Sequence, residues 1–68
     1  MLRIKDKEYR VYYWDIYLGE DENRESIFVS NSEQAAQEVC IEYNQCLTEE
    51  DHSIGAHYYV ETHYNYYI

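Results

Sequence analysis

Proline is absent from this 68-residue chain and glycine occurs only twice. The sequence therefore contains neither a proline-stiffened spacer nor a glycine-rich flexible one, and it reads as a single domain over 1–68. No apolar run approaches the roughly 20 residues that cross a bilayer, and no apolar segment follows the N-terminal charges as it would in a secretory signal. Bases are scarce too: Lys and Arg number 5 against 14 Asp and Glu, a formal net charge of -9. Arg3, Lys5, Lys7 and Arg10 crowd the start of the chain, and from Val11 onward twelve acids face Arg24 alone. Direct binding to nucleic acid or to an anionic membrane would work against that field, whereas a basic protein would be drawn to it.

The two cysteines do not make a disulfide framework. Cys40 and Cys46 fall on one helical stretch, where six residues rise about 9 Å along the axis and keep the sulfurs apart. Two small buried thiols are the expected reading and suit a reducing compartment, and the expectation is a soluble cytoplasmic protein.

Aromatic residues are abundant, at 18% with ten tyrosines, which argues against disorder despite the charge. The central stretch is Tyr9–Leu18, in which Tyr12, Trp14, Ile16 and Leu18 alternate with Tyr9, Val11, Tyr13, Asp15 and Tyr17. Alternation with a period of two predicts a strand, and the uniformly apolar even set is expected to face the core. Residues 1–8 are basic and polar, either a short lead-in to the first strand or a loose segment, and the composition of residues 19–25 predicts a hairpin loop. A short strand over 26–30 follows, pairing antiparallel with the first. Ser32 is the favoured N-cap of an amphipathic helix over 33–47, whose apolar residues fall within an arc of about 140°. Ile41 lies outside that arc, either as an exposed contact or against a loop. Residues 48–55 read as an acidic connection, and residues 56–68 alternate again as a last strand. Short connections then give an α+β fold of ββαβ order. Its three-stranded antiparallel sheet has the order 2-1-3, and one helix packs on the even faces.

The uncovered face would then collect Tyr9, Tyr13, Asp15, Tyr17, His57, Tyr59, Glu61, His63 and Tyr67. Tyrosines offer large contact area and a hydroxyl at low entropic cost, which suits protein recognition; the same rings could instead pair across strands for stability. No chemistry outcompetes these readings. His57 and His63 share a strand face but lie about 20 Å apart, too far to hold one metal ion. No glycine-rich phosphate loop or nucleophile elbow is present, so neither an enzyme nor a cofactor is expected. Aromatic strand faces also stack nucleobases, but beside basic grooves, whereas Asp15 and Glu61 would stand in the middle of this one.

Carboxylates are the other candidate contacts: Glu20, Asp21 and Glu22 in the first loop, and Glu49, Glu50 and Asp51 in the second. Spread over a rigid body, carboxylates imitate a phosphate backbone and engage arginines and lysines. In size, acidity and absence of catalytic motif the chain resembles the small phage or mobile-element inhibitors of anti-CRISPR and anti-restriction type. That resemblance implies occlusion of a basic, nucleic-acid-binding surface on a larger protein or complex. The alternative is a structural or assembly module that forms a homodimer, or docks, through the tyrosine-rich face.

Overall fold

The computed structural model describes residues 3–19 and 24–67. In chain order the elements are β1 (Ile4–Trp14), β2 (Phe28–Ser30), α1 (Glu33–Gln45), α2 (Glu49–Ser53) and β3 (His57–Tyr66). The strands make one antiparallel sheet in the order β2-β1-β3, which is the expected topology. A short additional helix, α2, stands where the sequence suggested only a connection.

Strand β1 starts five residues earlier than its apolar pattern suggests, because β3 pairs with nearly its whole length. The register runs from Ile4 opposite Tyr66 to Trp14 opposite His57, with an irregularity between Ile4 and Asp6. The strand also ends earlier. The Asp15 carboxylate accepts the backbone N–H groups of Tyr17 (2.9 Å) and Leu18 (3.0 Å), folding the chain into a local turn in competition with strand pairing. Gly19 and Gly55 both adopt positive φ, at 57° and 71°.

Helix α1 begins where Ser32 Oγ accepts the N–H of Ala35 at 3.2 Å, as the choice of cap predicted. It stops at Gln45, and the backbone N–H of Cys46 bonds back to the Tyr43 carbonyl at 3.2 Å. Helix α2 is held by a capping box: Thr48 Oγ1 accepts the Asp51 N–H, and the Asp51 carboxylate accepts the Thr48 N–H at 2.9 Å. No helix among the described residues is long and apolar enough to cross a membrane.

Which face α1 covers corrects the sequence reading. Residues directly opposite one another share a face, so Val11, Phe28 and Val60 point the same way, as do Tyr13 and Tyr58. Helix α1 meets this side: the Tyr43 and Tyr58 rings are 5.0 Å apart, and Asn44 and Cys40 both reach the Tyr58 backbone. The odd residues of β1 and the even residues of β3 therefore face the helix. The expected even-to-helix rule holds for β3 and fails for β1. Ile16 and Leu18 had weighted the pattern toward the even side, yet both lie in the turn beyond the strand and are exposed. With those two removed, Val11 decides the orientation; it is 0% exposed, as is Ala36 on α1, and Ala56 is 3% exposed. Burial of one such valine is worth about 1.5–3 kcal/mol. Ala36 presents only a methyl group, which lets the helix approach the sheet closely.

Strand β3 is an edge strand. Asn44 occupies that edge at one position, donating from Nδ2 to the Tyr58 carbonyl (3.1 Å) while its Oδ1 accepts the Tyr58 N–H (2.8 Å). The side-chain amide thus bonds as a neighbouring strand would. Past Tyr58, no strand among the described residues lies along this edge.

Candidate functional site on the open face of the sheet

The register places Tyr12, Trp14, Arg10 and Glu8 of β1 on the face away from α1, together with Tyr59, His57, Glu61 and His63 of β3. Their aromatic rings form a continuous run. Trp14 and His57 are 5.5 Å apart between centroids, His57 and Tyr59 5.8 Å, and Tyr59 and Tyr12 5.7 Å in a stacked arrangement. Tyr12 then meets His63, with its hydroxyl 3.3 Å from Nε2. Such ring pairs contribute about 0.5–1.5 kcal/mol beyond simple burial, and they hold the face rigid.

Trp14 is fixed by its indole N–H, which donates to the Gly19 carbonyl at 2.8 Å. His57 is fixed by Nδ1, 2.8 Å from the Gly55 carbonyl. These anchors explain the glycine at position 55. A Cβ there would come within 3.2 Å of Trp14 Cζ3 and 3.6 Å of Ile16 Cγ2, and the positive φ already disfavours any other residue. Trp14, Arg24, His57 and Tyr59 line an open hollow of about 370 Å³.

The sole base after Arg10 lies on this face. The Arg24 guanidinium carbon stands 4.8 Å from the centroid of Tyr12 and 5.8 Å from that of Tyr59. Its Nη2 bonds the Glu61 carboxylate at 2.7 Å, and its Nη1 donates to the Tyr59 hydroxyl. The other Glu61 oxygen is 3.0 Å from His63 Nε2. This arrangement explains why Tyr12 is only 5% exposed although α1 packs on the opposite face.

Of the residues singled out from sequence, Tyr59 and Glu61 come together here with His57 and His63. Tyr13 does not: it lies on the helix side, 5.2 Å from Tyr58 between ring centroids, and its hydroxyl donates to the Asp15 carboxylate at 2.8 Å. That bond draws Asp15 to the same side and couples the two groups. It pushes the Tyr13 hydroxyl up to about 12, and with the N–H groups of Leu18 and Tyr17 it holds the Asp15 carboxyl below its ordinary value. Tyr9 also belongs to the helix side, by its place opposite Thr62 and Ser30. Tyr17 projects from the turn, 79% exposed, and Tyr67 follows β3, tied by its N–H to the Arg3 carbonyl. Glu49 and Glu50 are exposed at the start of α2, while Asp51 is half-buried and engaged in the capping box, which lowers its pKa. Glu20, Asp21 and Glu22 lie outside the described residues.

Sequence reasoning missed Tyr12, Trp14 and Arg24. The first two were assigned to the wrong face. Arg24 carried a signal of its own, as a lone base within the acidic remainder of the chain. Among the described residues no group of three or more His, Cys, Asp or Glu side chains is placed to hold a metal ion. No protein-family model matches the sequence, and neither a curated protein nor a solved structure matches it.

Proposed function

We propose that the chain is a non-catalytic binding protein that docks its open sheet face on the basic surface of a larger protein. The surface envisaged is of the kind that nucleic-acid-handling complexes reserve for their substrate, and docking there would occlude it. The observation that carries this reading is the aromatic run of Trp14, His57, Tyr59 and Tyr12 on a face that α1 leaves uncovered, in a chain of net charge -9. Aromatic side chains with hydrogen-bonding ends are typical interface anchors, and the carboxylates of Glu49 and Glu50 with those of α1 supply attraction at longer range. Cys40 is half-buried and Cys46 exposed, where both were expected to be buried, and both are unpaired, in keeping with a partner met in the reducing cytoplasm.

The test is a pull-down from the host followed by affinity measurements on the captured basic protein at rising salt. Association should slow steeply with salt and on reversal of Glu49 and Glu50 to lysine. Tyr59→Ala should instead speed dissociation. A partner whose binding ignores salt, the charge reversals and Tyr59→Ala alike would refute the proposal.

A further inference from the structure

We infer that the open face carries a recognition site for an arginine side chain of the partner, and that Arg24 fills this site in the free protein. The inference rests on the docking reading above and gives it a specific anchor. Its chemistry is shown by the occupant. The Tyr12 ring lies beneath the guanidinium at 4.8 Å, the Tyr59 ring flanks it at 5.8 Å, the Tyr59 hydroxyl accepts one N–H, and the Glu61 carboxylate accepts another at 2.7 Å. A planar cation with several fixed donors meets all four groups at once. A lysine ammonium is a compact point charge and cannot stack and bridge in the same way.

The occupant is held weakly enough to leave. The Arg24 side chain is 43% exposed and that of Glu61 33%, and exposed ion pairs add little stability. Arg24 is attached through residues 24–26, which belong to no helix or strand. The receiving groups, in contrast, stand on the paired strands β1 and β3, Tyr12 directly opposite Tyr59. A ligand carried outside the sheet, on a receptor built of paired strands, is the arrangement that exchange requires. Arg24 also lines the adjoining hollow with Trp14, His57 and Tyr59, so its withdrawal joins that hollow to the ring faces of Tyr12 and Tyr59. An incoming arginine would thus find room for the residues on either side of it.

The exchange has an electrostatic consequence. With Arg24 in place, the Glu61 charge is matched within the chain; when a partner arginine replaces it, Arg24 is released into the surrounding acidic surface. Removal of Arg24 leaves Glu61 available and eliminates the competitor.

The test uses the full chain and three capped tripeptides, Gly-Arg-Gly, Gly-Lys-Gly and Gly-citrulline-Gly, followed by NMR. Arg24→Ala should bind the arginine peptide about tenfold more tightly than the wild type, equivalent to about 1.4 kcal/mol of lost competition. The Tyr12 and Tyr59 ring signals should move, the lysine peptide should bind more weakly, and the citrulline peptide should have no effect. Adding Glu61→Gln to Arg24→Ala should abolish the gain. In the wild type, saturation with the arginine peptide should shift the Arg24 guanidinium signal toward that of a free side chain, a readout that does not depend on the variant folding. Equal affinity of wild type and Arg24→Ala, or binding that leaves the Tyr12, Tyr59 and Arg24 signals unmoved, overturns the inference. If basic peptides still bind in a salt-dependent way elsewhere on the surface, only this site is lost; if no basic peptide binds either protein, the docking reading fails with it.

Discussion

Replacement of Asn44 by alanine isolates the clamp between α1 and the edge of β3. The amide makes two hydrogen bonds to one residue, donating to the Tyr58 carbonyl at 3.1 Å and accepting its N–H at 2.8 Å. Each such bond contributes about 0.5–1.5 kcal/mol net, so their joint loss should cost about 1–3 kcal/mol. The Cys40 thiol also lies against the Tyr58 carbonyl, at 3.2 Å, so the orphaned N–H dominates the penalty. A chain of this size has a total stability of roughly 3–10 kcal/mol, and the melting temperature should fall by about 5–15 °C. Asn44→Asp retains the acceptor but sets a carboxylate against the Tyr58 carbonyl, so it should be no better than alanine near neutral pH and should recover as the carboxyl protonates. Thermal unfolding by circular dichroism gives the magnitude, and hydrogen exchange at the Tyr58 amide gives the location. If Asn44→Ala melted within 2 °C of the wild type while the Tyr58 amide stayed protected, the clamp would not be holding the helix to the edge.

Two further expectations concern the turn and its flanks. Tyr13 should ionise near pH 12 in the folded chain, as read by the part of the tyrosinate absorbance that Tyr13→Phe removes. Because its folded pKa is raised, the stability it contributes is complete below the ordinary tyrosine range and is lost as pH climbs toward 12. Asp15, held low, contributes stability above the ordinary carboxylate range that disappears as pH falls through its folded value; Tyr13→Phe should weaken both trends, and unchanged profiles would refute the coupling. Gly55→Ala should destabilise by about 1–3 kcal/mol through its positive φ and the contact with Trp14. As Trp14 is the single tryptophan, its emission should shift with the substitution, and an unaltered spectrum and melting point would contradict the packing described.

The topology was legible because β3, α1 and the Ser32 cap each obey a local rule: alternation, amphipathic periodicity and a side-chain acceptor at the helix start. The orientation of β1 was not legible, for a reason that lies in Asp15. Its carboxylate binds two following N–H groups, converting Ile16 to Leu18 from strand into turn, so two apolar residues that dominate the pattern say nothing about the sheet. A one-residue error of parity moves every side chain of a strand to the other face. It placed Tyr13 in the candidate site, although Tyr13 faces the helix, and hid Tyr12 and Trp14 from it. The β3 half of the site, His57, Tyr59, Glu61 and His63, was readable because that strand continues unbroken to Tyr66. Arg24 was unreadable in its role, since its partners Tyr59 and Glu61 lie more than thirty residues away in the chain.

Among the described residues no strand pairs with the outer edge of β3 beyond Tyr58, and this has a consequence for how copies of the chain coexist. An edge strand is ordinarily kept from its own kind by a lysine, a proline or a bulge, and His57–Tyr66 contains neither lysine nor proline. Repulsion between bodies of charge -9 supplies at long range what those local devices supply at contact, keeping molecules dispersed before their backbones can meet. The acidity that would draw a basic partner is thus also the colloidal safeguard of a bare strand. Such a safeguard is conditional: it thins with added salt, as screening shortens to about 3 Å at 1 M, and it vanishes near pH 4.5.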